Sequence, residues 1–277
     1  MRVKSSDSDL KQLFIYNRSL RDLDTYSKIL EIERDWIVRL ANATEASAPT
    51  FESRAQLLDA LHDLLEREEH APSESVEFFA KQSTREQFKV IIGEFAVDGL
   101  TEAQSFFPII ARLPIKSQMA VMRVLIDEFG CGNVDQAHSQ LYRNLLTELE
   151  MPLDIESYLD GLNDESYAFL NVFYWLSERA PQVEYFLGAL AYLEASIPFA
   201  FSCYANACAR LGIIGSRYYT EHMHIDGFHM KELQIAIREL EAAGELDYKK
   251  VWVGTQLASS IIAEAFEAAV AKARKVA

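Results

Sequence analysis

The chain has 277 residues, 49% of them hydrophobic and 25% charged, enough for a full core in one large domain or two small ones. A net charge of −15 and a pI near 4.9 disfavour nucleic acid and anionic membranes as partners, because both would repel it. No basic segment leads into an apolar run at the start, and no stretch of about 18 apolar residues occurs, so neither a signal peptide nor a membrane span is expected. Cys131, Cys203 and Cys208 lack CxxC spacing and read as reduced cytoplasmic thiols.

Taken in order, nearly every segment has helical periodicity. Residues 8–46 carry Leu10, Leu13, Phe14, Ile29, Leu30, Trp36 and Leu40 at three-and-four spacing, interrupted by polar turns. Residues 52–69 form an amphipathic helix with Leu57, Leu58, Leu61, Leu64 and Leu65 on one side. Ala71-Pro72-Ser73 then punctuates the chain. That stretch divides an N-terminal helical extension, 1–72, from a main domain, 73–277. Ser83 and Glu86 form a capping-box pattern that opens a helix toward Val97. A further helix from Glu102 is stopped by Pro114, and residues 116–129 form the next.

Gly130-Cys131-Gly132-Asn133 kinks the chain before a helix from about Val134 to Leu149. After Met151-Pro152 come a short helix over 155–161, another over 165–179, and a long one from about Gln182 to Leu211. A Gly-Ile-Ile-Gly-Ser link turns into a helix from about Arg217 to Ala243, and 252–275 closes the chain. No strand pattern competes, so the fold class is all-α.

The 217–243 helix holds three of the six histidines. At 100° per residue, His222, Asp226 and His229 fall at about 0°, 40° and −20°, and His224 at about 200°. Two imidazoles and a carboxylate therefore share one face, and His224 points away. Such a mixed nitrogen and oxygen set suits iron, manganese or zinc. A plain polar surface remains the competing reading at this point.

A metal site in a helical bundle needs ligands from several helices. Reflection about residues 211–213 brings position 194 opposite 222–229. Glu194 sits in the apolar run LGALAYLEASIPFAF, where a carboxylate is costly to bury unless it is paired or ligating. A solvent-facing position on an amphipathic helix is the alternative. Glu128 and His138 flank the Gly130 segment, about 80° apart on an unbroken helix. The glycine kink offers a way to align them.

Taken together, Glu128, E-x9-H to His138, Glu194, and H-x3-D-x2-H at His222, Asp226 and His229 resemble the heme-oxygenase-like diiron oxidase and oxygenase family. The E-F-G-x-G-N segment leading to A-H-S-x-L, and the run Y-x-x-H-x-x-x-D-x-x-H, are similar to that family's ligand helices. The resemblance covers about residues 75–245. It implies a seven-helix heme-oxygenase-like bundle without heme, holding two Fe(II) ions, with O2 as co-substrate.

Glu128 and His138 would then bind one iron with His222. Asp226 and His229 would bind the other, with Glu194 between or beside them. Glu102 would add a ligand from the first core helix, with Glu94 as the competitor. The activity implied is an oxygenase acting on a small amino-acid-like molecule in a biosynthetic pathway, by N-oxygenation or oxidative C–C cleavage, with or without an external electron donor. Fatty-acid decarboxylation or desaturation at the same site is one alternative. The cofactor-free or thiamin-degrading branch of the fold is another, though it does not need three histidines and three carboxylates in register.

Two further expectations follow. The leucine-rich N-terminal helices lie outside the resemblance and need a cover; they are expected to extend the bundle and build a homodimer interface, the dimer half of which light scattering at micromolar concentration checks. Gly227, inside the helix that presents three ligands, predicts that residues 220–230 are mobile without metal and become regular helix with it.

Overall fold

The computed structural model describes residues 3–4, 6–71, 73–244 and 246–276, with the side chain of Asp226 outside the description. The expected break at Pro72 therefore lies partly outside the described residues. Among the described residues every regular element is helical, as the periodicity predicts.

The N-terminal part comprises α1 (Asp9–Asn17), then α2 (Leu23–Glu33) and α3 (Arg39–Ser47) joined through a π-helical turn, and α4 (Arg54–His70). Ser8, Asp22 and Ser53 cap three of these helices through side-chain oxygens that accept backbone N–H groups. Next come α5 (Glu74–Glu77), α6 (Arg85–Glu94), α7 (Ala96–Thr101), α8 (Phe107–Ile110) and α9 (Ile115–Glu128). The capping box of α6 is Thr84 with Gln87, one residue later than Ser83 with Glu86. The Ser83 hydroxyl is instead committed to the Phe79 carbonyl, 2.7 Å away.

The C-terminal part comprises α10 (His138–Glu148), α11 (Glu156–Leu159), α12 (Asp164–Tyr174), α13 (Glu184–Leu211), α14 (Arg217–Ala242) and α15 (Tyr248–Ala273). Gly212, with φ +69, ends α13 in the left-handed conformation and starts the tight return into α14. The helix α13 is long and apolar enough to cross a bilayer by length and composition, but here it is the central core helix, packed against α14 and α15.

The crossing of α13 and α15 is the closest in the fold. A Cβ on Gly188 would lie 1.8 Å from the Val251 carbonyl oxygen, and one on Gly254 would lie 1.9 Å from that of Tyr185. The two backbones touch, which only glycine permits. Around this crossing, Phe186, Leu187, Leu190, Val253 and Leu257 are fully buried.

The leucine face of α4 is covered within the chain. Leu57, Leu61 and Leu64 belong to the same buried cluster as Leu190 and Leu257. The helix α4 therefore extends the bundle, as expected of the N-terminal part. The apolar side chains left exposed in the N-terminal part are Leu20, Leu23, Tyr26 and Leu30. A buried ion pair between Arg179 and Glu33, 2.6 Å, ties α2 to the segment after α12.

Candidate metal centre

Two helix termini and two helix interiors supply the cluster. Glu128 is the last residue of α9 and His138 the first of α10. The helix expected from Val134 therefore starts four residues later. Gly130 and Cys131 both have positive φ, and the side chain of Asn133 accepts from Asp135 N, 3.1 Å, so residues 130–137 form a compact non-helical turn. A Cβ on Gly130 would sit 2.5 Å from Ala137 N. The turn folds back on itself and delivers His138 onto Glu128, with Nδ1 2.8 Å from Oε2. A kinked helix would not bring them that close.

His222 and His229 project from α14 into the same space, at 4% and 1% exposure, and Glu194 from α13 at 4%. His224 is exposed, on the far face as its register requires. The His222 Nδ1 lies 2.7 Å from the Tyr218 carbonyl, which accepts its proton and leaves Nε2 facing Glu128 Oε2 at 4.0 Å. Its ring packs against that of His138, centroids 4.0 Å apart. The His229 Nδ1 lies 3.0 Å from Glu194 Oε2 and 3.5 Å from Glu128 Oε1.

Two buried triads result: Glu128 with His138 and His222, and Glu128 with Glu194 and His229. In each, the candidate ligand atoms lie within 4.8 Å of one another. Glu128 is common to both and turns a different oxygen to each. The resemblance places Glu194 between or beside the two positions; here it stands beside His229, and Glu128 stands between. The backbone of Asp226 lies on the same helix, but its side chain falls outside the described residues.

Electrostatics follow from this packing. Burial alone would raise the Glu128 carboxyl, but the neighbouring His138, His222 and His229 outweigh it and hold it at about 2. Burial, reinforced by the charge of His138, pushes His222 down to about 4. Burial also works against a charged His229, yet its hydrogen bond to Glu194 and the nearby carboxylates raise it to about 9. The carboxylates around His229 thus favour its charged form, and a metal bound there would have to displace that proton. Iron(II) affinity at the Glu194–His229 position is expected to rise by up to about tenfold per pH unit as pH climbs from 6.5 toward 9, while the His222 position changes less. Chelator competition across that range checks it.

Glu102 and Glu94 separate clearly. Glu94 is committed to Lys272, the Ser166 hydroxyl and Asn163 N, a structural network on the far side of α6. Glu102 instead faces the cluster, and its Oε1 is buried without a hydrogen-bond partner. Burial and the charges of Asp98 and Glu128 push its carboxyl well above the usual range. Glu102 also has φ +42, a strained value for a side chain of its size, at the join between α7 and a 3-10 turn.

Sequence reasoning missed Asp98, one turn before Glu102, which burial and Glu128 push up to about 7. It also missed Asp127, whose Oδ2 lies 3.6 Å from His229 Nε2. Asp98 had no motif to mark it. Asp127 had only its adjacency to Glu128.

The donor set fits iron. It is wholly nitrogen and oxygen, it divides into two triads around a shared carboxylate, and it is shielded from bulk water. A cavity of about 970 Å³ reaches it, with Glu102, Glu128, Glu194 and His222 at its inner end. Phe95, Phe106, Phe169 and Tyr218 line the deep wall. Among the described residues no lysine or arginine lines it.

His224→Ala is expected to leave iron content unchanged, whereas His222→Ala and His229→Ala each lower it. Metal analysis of the three variants checks the helix register. Gly227 has open space where a Cβ would go, so Gly227→Ala should add about 1 kcal/mol of helix stability and raise hydrogen-exchange protection over 220–230 in metal-free protein.

The chain is similar to a nitrosourea synthase of Streptomyces achromogenes subsp. streptozoticus, 28% identical over 186 residues. That match spans 63% of this chain and 38% of the relative's own length. A family model described as iron-containing redox enzyme matches residues 91–261, a span that holds Glu102, Glu128, His138, Glu194, His222 and His229 together. The chain belongs to the iron-containing redox enzyme family.

Proposed function

We propose that the chain is a non-heme diiron oxygenase that uses O2 to oxidise a small amino-acid-like substrate in a biosynthetic pathway. The observation that carries this is the position of Glu128, one carboxylate shared by two buried triads. Glu128, His138 and His222 would hold one iron; Glu128, Glu194 and His229 the other, with Glu102 and Asp226 as further ligands. Two iron(II) ions bound there would supply the electrons that activate O2.

The chain's own residues do the rest. The Tyr218 carbonyl fixes the tautomer and ring orientation of His222. Phe201 and Tyr218 pack edge-on against His222, with Tyr142 edge-on behind Tyr218, and keep bulk water out. Burial pushes the Glu102 carboxyl well above the usual range, so without metal it would hold a proton at the inner end of the cavity, to be released on ligation.

The nitrosourea synthase relative supports chemistry directed at nitrogen. The carboxylates, and the lack of lysine and arginine among the described lining residues, favour an amine-bearing substrate over a fatty acid. Protein loaded anaerobically with iron(II) is expected to consume O2 faster with amino-acid amines than with fatty acids. Acceleration by fatty acids alone would reverse the substrate assignment.

A further inference from the structure

The family match begins at residue 91, yet one wall of the cavity comes from before it. Glu66, Glu68 and Glu69 on α4 line its outer part, facing Glu267 on α15. Glu68 is the innermost of these and is only partly exposed. Its Oε2 accepts from the Tyr192 hydroxyl and its Oε1 from the Ser259 hydroxyl, both at 2.6 Å. Tyr192 lies two residues before Glu194 on α13, so this carboxylate is tied directly to the helix that carries a candidate ligand.

Both donors to Glu68 are neutral. They fix the carboxylate without cancelling its charge, and each oxygen keeps a free lone pair. The ion pairs among the described residues include none to Glu68. Further along α15, Ile262 and Phe266 add apolar lining. An oriented anion held by hydroxyls, in a cavity that also reaches Glu128 and Glu194 and has no lysine or arginine among its described lining residues, is built to receive a cation.

We propose that Glu68 is the specificity-determining residue for a positively charged nitrogen on the substrate, a primary ammonium or guanidinium, held by α4 while the remainder reaches toward Glu194. The inference rests on the function proposed above and deepens it. It makes α4, outside the family-matched span, the part of the chain that selects the substrate's charge. Glu66 and Glu69 at the rim raise the local concentration of cations without fixing their position.

The test uses the full chain loaded anaerobically with iron(II), so that binding is read without turnover, and three probes of equal length: hexylamine, hexanol and hexanoate. Calorimetry is expected to show hexylamine binding at least about tenfold more tightly than hexanoate. Glu68→Gln removes the charge, keeps one oxygen that accepts from one of the two hydroxyls, and turns its amide N–H toward the other, whose oxygen can accept it. It is expected to weaken hexylamine about tenfold and leave hexanol unchanged, with iron content as in the parent chain. Glu69→Lys, at the exposed rim, should weaken hexylamine by a smaller factor that disappears at high salt.

Equal binding of hexylamine and hexanoate, or no loss of hexylamine in Glu68→Gln, overturns the proposal, as does failure of hexylamine to bind at all. Iron content separates the two claims. Two irons without amine preference sinks the cation subsite alone, whereas loss of the second iron in the parent chain sinks the diiron reading.

Discussion

Glu128→Ala is expected to lower iron affinity at both positions at once, by at least about 100-fold. Outer residues that merely orient ligands cost about 10–100-fold when removed, and Glu128 is placed to ligate directly. Its Oε2 faces His138 and its Oε1 faces His229. The loss should exceed that of any other single carboxylate. Glu194→Ala is expected to affect chiefly the position built on His229, and His138→Ala the one built on His222, each leaving one iron behind. Metal analysis after anaerobic reconstitution distinguishes the cases. Two irons retained in Glu128→Ala would mean that the triads do not share it.

The second large effect is on stability. Gly188→Ala is expected to cost about 3 kcal/mol or more, read as a fall in the urea midpoint at constant m-value. The added Cβ would meet the Val251 carbonyl oxygen at 1.8 Å, and a backbone atom cannot rotate aside as a side chain can. The helices α13 and α15 would have to separate. Phe186, Leu190, Val253 and Leu257, all fully buried, would lose contact with them. Gly254→Ala should act in the same way from the opposite helix. Gly227→Ala is the control, because the same chemical change there meets open space and should stabilise.

The fold was readable because each long helix announces itself by apolar periodicity and polar breaks. The α13–α14 hairpin followed from the shortness of its link, which fixes the partner of 222–229 and so put Glu194 near His229. The helix register separated His222 and His229 from His224, since 3.6-residue geometry does not depend on distant packing. The turn at 130–137 was less readable. Glycines mark a break, but only the folded chain shows that it is non-helical through Ala137.

Other features depend on contacts that sequence spacing does not encode. Glu94 and Glu102 stand eight residues apart, and partners far along the chain, Lys272 with Ser166 and Asn163, hold Glu94 out of the site. Asp98 carries no motif. The role of α4 was hidden for the same reason: Glu68 reads as one acid among several on an exposed helix until Tyr192 and Ser259 are seen to hold it.

The central claim is that one carboxylate divides this cluster into two iron positions. Anaerobic titration of the full chain with iron(II), followed by Mössbauer spectroscopy of the loaded protein, tests it most directly. The account predicts close to two irons per chain, distinguishable by their environments, and fewer than one in Glu128→Ala. A single iron per chain at saturation, with Glu128→Ala still binding it, would contradict the account.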